Sequence, residues 1–101
     1  MESHPIRRNY GCTDWTTSTG ELHRENGPAR IWDDGVKHYV VHGKFHREDG
    51  PALEYPAKSF WYLNGVLYTY KDLESSGRIE EFKSKYPRFV ESMILWEVHN
   101  S

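Results

Sequence analysis

Gly20-Glu-Leu-His-Arg-Glu-Asn-Gly-Pro-Ala29 returns 23 residues later as Gly43-Lys-Phe-His-Arg-Glu-Asp-Gly-Pro-Ala52, with seven of the ten positions identical. A short period repeated this closely marks one supersecondary unit that has been duplicated and stacked on itself. In such an array the repeated residues serve the stacking. An enzyme, by contrast, has one asymmetric reacting centre and seldom needs its catalytic residues twice, so the duplication weighs against His23 and His46 as an active site.

Outward from this block, residues 20–69 alternate short β-prone runs (29–32, 37–41, 51–55, 60–63 and 66–68) with the turn signals Asp34-Gly35, His42-Gly43, Pro56-Ala-Lys and Asn64-Gly65. Asn-Gly and Asp-Gly favour type I′ hairpin turns, whose two central residues need positive φ. Successive antiparallel hairpins make a meander. Gly27 and Gly50 are expected in the left-handed region, with Pro28 and Pro51 starting the next strand. Residues 1–19, with Pro5, Gly11 and the polar run 16–19, read as a frayed tail followed by a degenerate first strand.

After Thr69 the period changes. Thr69-Tyr-Lys-Asp72 is a capping-box variant opening a short turn that Gly77 stops. Ile79, Phe82, Tyr86, Phe89, Met93 and Trp96 then recur at three- and four-residue spacings, the mark of one helix face. Pro87 cannot sit inside a continuous helix, so the spacing predicts two, over 78–85 and 87–97. The expected fold is α+β: an antiparallel meander of stacked hairpins covered by two C-terminal helices, in one domain over 1–101. Its parts are an N-terminal segment 1–19, a repeat meander 20–69 and a helical segment 70–99.

Composition fits a thin sheet. Of 101 residues only 37% are hydrophobic, yet 15% are aromatic, so large rings must supply much of the burial. Thirteen Lys and Arg against fifteen Asp and Glu give a net charge of −2 without a basic stripe. That makes nucleic acid the weaker partner class. Cys12 is alone, which excludes an intrachain disulfide and a cysteine zinc cluster, and favours a reducing compartment. With no apolar leader and no membrane-length apolar run, the expected location is cytoplasmic, without membrane contact. No motif calls for a cofactor or a metal.

The block from residue 20 to about 68 resembles MORN-type repeats, whose units are also about 23 residues long and form successive hairpins. Where the usual unit centres on Tyr-x-Gly and Gly-x-Gly features, this chain is similar to the His-Arg-x-Asp-Gly-Pro-Ala variant of uncharacterised bacteriophage and large DNA virus proteins. The resemblance implies a scaffold for protein contacts. It further implies a small phage-type accessory protein that inhibits or modulates a host protein in the host cytoplasm.

Three constellations carry the functional candidates. His23, Arg24, Gly27 and Pro28, with His46, Arg47, Gly50 and Pro51, are expected to be structural, the imidazoles and guanidinium groups packing on aromatic rings and bonding turn carbonyls. Arg24 with Glu25 and Arg47 with Glu48 are expected as exposed ion pairs. Trp32, Tyr39, Tyr55, Trp61 and Tyr62 are the candidates for a rigid aromatic contact surface. The helical stripe, widened by Ile94, Leu95 and Val98, offers a homodimer seam. The leading expectation is a non-enzymatic protein-binding module. Its rivals are nucleic-acid binding or hydrolysis through the His-Arg-Glu residues and the aromatic sheet, and a self-assembling structural protein.

Overall fold

The computed structural model describes residues 3–100; positions 1, 2 and 101 of the expected domain lie outside the described residues. The chain runs β1 (His4–Arg8), β2 (Cys12–Thr16), β3 (Arg30–Trp32), β4 (Lys37–His38), β5 (Val40–Val41), β6 (Lys44–Phe45), β7 (Leu53–Glu54), β8 (Ser59–Leu63), β9 (Val66–Tyr68), α1 (Tyr70–Ser75), α2 (Ile79–Lys85) and α3 (Pro87–Asn100). One seven-stranded antiparallel sheet has the order β1-β2-β3-β4-β7-β8-β9, and β5-β6 form a second, two-stranded sheet. The α+β class is as expected.

Several local expectations are corrected. From His4 onward the N-terminal segment is not a frayed tail: β1 and β2 form a hairpin with five paired positions, from His4↔Thr16 to Arg8↔Cys12, closed at Gly11 with φ +100°. A buried carboxylate, Asp14, holds it by binding Arg8 of β1 and Arg30 of β3. The run 37–41 is also not one strand. It breaks at Tyr39, after which Val40 and Val41 pair with Phe45 and Lys44 across a turn in which His42 (φ 49°) and Gly43 (φ 76°) are both left-handed. Asn64 (φ 51°) and Gly65 (φ 82°) repeat that conformation, the signature of a type I′ turn. At Asp34-Gly35 only the glycine has positive φ, and Asp34 instead accepts the Val36 N–H.

The two repeat units share a set of backbone hydrogen bonds. Trp15 N–H donates to Ala29 C=O and Tyr39 N–H to Ala52 C=O, both at 2.7 Å; Ala29 N–H donates to His38 C=O and Ala52 N–H to Phe60 C=O, both at 2.8 Å. Ala29 and Ala52 are fully buried, which explains the small residue after each proline.

The helices follow the sequence reading closely. Thr69 Oγ1 accepts the Asp72 N–H at 3.1 Å as the N-cap, Gly77 ends the turn at φ +71°, and α2 and α3 meet at Tyr86-Pro87. Phe82, Phe89 and Met93 of the stripe are buried with Leu73 and Val90, while Ile79, Tyr86 and Trp96 flank them. From the sheet, this cluster takes in only Trp61, Leu63 and Tyr68 among the described residues. The helices therefore cap the β8-β9 end rather than cover the whole meander, and the molecule is an elongated slab of 42 × 28 × 17 Å. No helix among the described residues is long and apolar enough to cross a membrane.

Candidate binding surfaces

Residues directly opposite in an antiparallel pair project to the same face, so the register sorts the side chains. Asp14, Arg30, His38, Leu53 and Phe60 are successive partners across five strands, and Cys12 opposes Trp32 on the same face. Rings join along this face. Tyr10 meets Trp32 at 6.1 Å between centroids, Arg30 lies over Trp32, and His38 meets Phe45 at 5.8 Å and Tyr55 at 6.3 Å. Phe45 then meets Tyr62 at 5.2 Å, and Tyr55 meets Phe60 at 6.1 Å. Every ring in the row keeps part of its surface in solvent, and Tyr10 and Tyr55 are 59% and 41% exposed.

Of the five aromatic candidates, Trp32, Tyr55 and Tyr62 meet on this face. The other two do not. Trp61, one residue out of phase with Phe60 and Tyr62, points to the opposite face, is 5% exposed in the helical cluster and donates its Nε1–H to Ser92 Oγ at 2.9 Å. It is a core residue. Tyr39, at the break between β4 and β5, lies beneath the Arg47 guanidinium at 4.0 Å. Tyr10, His38, Phe45 and Phe60 complete the row and were not among the candidates. The i, i+2 alternation of Phe60 and Tyr62 was a signal for one of them, while the others needed the cross-strand register.

Electrostatically this face is quiet. Asp14, fully buried, accepts from Arg8 Nε at 2.9 Å and from Arg30 Nε and Nη2 at 2.6 and 2.9 Å; the Arg30 hydrogen bonds above all, opposed by burial and aided by Arg8 and Cys12, hold its carboxyl down at about 2. Burial lowers the His38 pKa, with the Arg30 charge acting the same way, which favours the neutral ring. Both arginines of the face are thus already bound to a carboxylate. The Cys12 thiol, pushed up chiefly by burial, donates to Asp14 Oδ1 at 3.4 Å.

The repeat loops have a different logic. His23 Nδ1 accepts the His42 N–H and His46 Nδ1 accepts the Asn64 N–H, each at 2.9 Å, so each imidazole clamps the type I′ turn of the next hairpin. They accept amides; the expected bonds to turn carbonyls belong to the arginines. Arg24 Nη1 donates to Pro28 C=O at 3.2 Å and Arg47 Nη1 to Pro51 C=O at 3.1 Å, with the guanidinium carbons 4.0 Å from the centroids of the Trp15 and Tyr39 rings. Gly27 and Gly50 are not left-handed. Glycine lets each guanidinium fold close over its loop, since a Cβ would stand 3.2 Å from the Arg24 guanidinium carbon and 2.9 Å from that of Arg47. The expected Arg24–Glu25 and Arg47–Glu48 pairs are also replaced: Glu25 faces His23 Nε2 at 3.4 Å without a hydrogen bond, and Glu48 pairs with His46 Nε2 at 3.1 Å.

Between the two loops runs an open groove of about 770 Å³, lined by residues that include Arg24, Gly27, Tyr39, His46, Arg47 and Glu48. Among the described residues no group of three or more His, Cys, Asp or Glu side chains is placed to hold a metal ion. Neither a protein-family model nor a curated protein nor a solved structure matches the chain.

Proposed function

We propose that the chain is a non-enzymatic, MORN-like protein-binding module that engages its partner through the aromatic face carrying Trp32, Tyr55 and Tyr62. The observation that supports it is the row of part-exposed rings on a sheet face that the helices leave open. Tyr and Trp in such settings are enriched among binding hot spots because they offer large, stiff, amphipathic area. The broad side of the molecule, 42 by 28 Å, is large enough for the roughly 800 Å² per partner of a standard interface. The resemblance of the repeat to phage and viral proteins extends the reading to a small accessory protein acting on a host protein.

The charge distribution favours protein over nucleic acid. A base-stacking platform needs cations free for phosphate. Here Arg8 and Arg30 are held by Asp14. Hydrolysis is disfavoured by the imidazoles, whose Nδ1 atoms are both occupied by turn amides.

The test is capture of partners by the tagged protein from a bacterial lysate, with and without nuclease, using wild type, Trp32→Ala, Tyr62→Ala and the control Lys71→Ala. A stoichiometric protein that survives nuclease and high salt, and weakens about tenfold or more with each aromatic variant, is the expected result. Capture that disappears with nuclease, or that ignores both aromatic substitutions, overturns the proposal.

A further inference from the structure

The two His-Arg loops are near copies, and one chemical difference between them falls on the arginine. Arg47 Nε binds Asp49 at 2.9 Å and its Nη1 binds Glu54 at 2.6 Å. One period earlier, the positions of Asp49 and Glu54 hold Asn26 and Ile31. Arg24 therefore keeps the Pro28 carbonyl and the ring beneath it but has no carboxylate partner among the described residues. Its guanidinium is nonetheless held in place, stacked on Trp15 and packed so closely against Gly27 that no Cβ fits freely between them. A cation fixed in this way loses little side-chain freedom on binding.

We propose that Arg24 is a docking point for an acidic side chain of a protein partner, whose carboxylate enters the groove and takes on Arg24 the place that Glu54 takes on Arg47. The groove supplies a selection rule. Glu25, Glu48 and Asp49 line it with exposed carboxylates, at 58, 63 and 58% side-chain exposure. These repel phosphate and any run of acidic residues. They complement an Asp or Glu flanked by Lys or Arg, so the occupant is a mixed-charge peptide segment. Glu54 belongs to the register row of Ile31 and Lys37, which places this site on the side of the sheet opposite the aromatic row. The site extends the protein-binding reading, and testing it requires no knowledge of the partner that the aromatic face engages.

Arginine Nε–Hε resonances of the ¹⁵N-labelled chain report the site directly. Titration with acetyl-Lys-Glu-Lys-amide is expected to shift the Arg24 signal saturably, with half-saturation on the order of a few millimolar. Acetyl-Lys-Gln-Lys-amide and inorganic phosphate are expected to act at least tenfold more weakly. Ile31→Glu, which installs the internal carboxylate of the second unit, should abolish the shift while the amide spectrum stays folded; Asn26→Asp serves the same purpose if Ile31→Glu does not fold. Trp32→Ala should leave the shift intact, which separates this site from the aromatic face. The proposal is overturned by the absence of a saturable shift, by an equal response to the Gln peptide, by tighter binding of phosphate, or by undiminished binding in the self-neutralised variant.

Discussion

Asp14→Asn tests the electrostatic anchor of the N-terminal hairpin. The carboxylate sits at the middle of β2 and binds Arg8 on one neighbouring strand and Arg30 on the other, so three strands share one negative charge. Its side chain is 1% exposed, against 34 and 24% for the two arginines, so solvent screening is weak at the anion and partial at the cations. A carboxyl held at about 2 instead of 3.8 corresponds to roughly 2.5 kcal/mol of stability at 1.36 kcal/mol per pKa unit. Removal of one partner from a buried pair typically costs about 3–5 kcal/mol, and the exposure of the arginines moves the expectation to the lower end. Asp14→Asn should therefore lose about 2–3 kcal/mol at pH 7.

The pH dependence carries the sharper test. Because the folded-state pKa is depressed, the stabilisation is complete well above the unfolded value near 3.8 and is lost as pH falls through that value towards 2. Urea denaturation of both proteins at pH 7, 5, 3.5 and 2.5 should show the difference in unfolding free energy shrinking below pH 4. Exposed pairs such as Arg7–Asp33 and Arg78–Glu81 titrate in both proteins and cancel in the difference. A difference under about 1 kcal/mol at pH 7, or one that stays constant down to pH 2.5, would refute the assignment of Asp14 as a buried, ionised anchor.

Other substitutions separate the remaining elements. Trp61→Ala should cost about 3–5 kcal/mol in chemical denaturation, as expected for a ring buried in the same cluster as Phe89 and Met93, whereas Trp32→Ala should cost far less. Thr69→Ala removes the N-cap of α1 and should cost about 1 kcal/mol, and Gly77→Ala about 1–2 kcal/mol because its φ of +71° is strained for an L side chain even in open space. Gly50→Ala should cost about 1–3 kcal/mol by displacing a guanidinium that Tyr39, Pro51 and Glu54 hold in place. In an Arg47→Ala background that penalty should vanish, and a double-mutant cycle that instead finds additivity would disprove the close-packing role of the glycine.

The helical segment was the most legible part of the chain. Phe82, Phe89 and Met93 recur at helical spacing, Pro87 breaks the run, and Thr69 and Gly77 are local signals read by the backbone next to them. The hairpin turns at residues 42–43 and 64–65 were legible for the same reason. What resisted reading was non-local. Nothing local singles out Asp14 until Arg8 and Arg30 are placed on either side of it. The glycines at 27 and 50 suggest backbone freedom until the folded guanidinium groups are seen above them. Trp61 and Tyr62 are equally aromatic in sequence, and only the strand register, with α3 packed over one face, sends the first inward and leaves the second on the open side.

The repeat also accounts for where the array stops. His23 stands three residues after Gly20 and His46 three after Gly43, and each accepts the amide of the following hairpin turn. Gly65 opens a third such hairpin with the same left-handed backbone, φ +82° against +89° and +76°. Three residues on, however, stands Tyr68, which has no ring nitrogen to accept an amide from a fourth turn. Its ring packs against Phe82 at 5.0 Å and Phe89 at 6.3 Å, between centroids. The substitution thus removes the clamp that would dock another unit and supplies an apolar contact for the helices in its place. Stacked units need caps at their ends, and here the change from one polar ring to another turns the third unit into the seat of the cap.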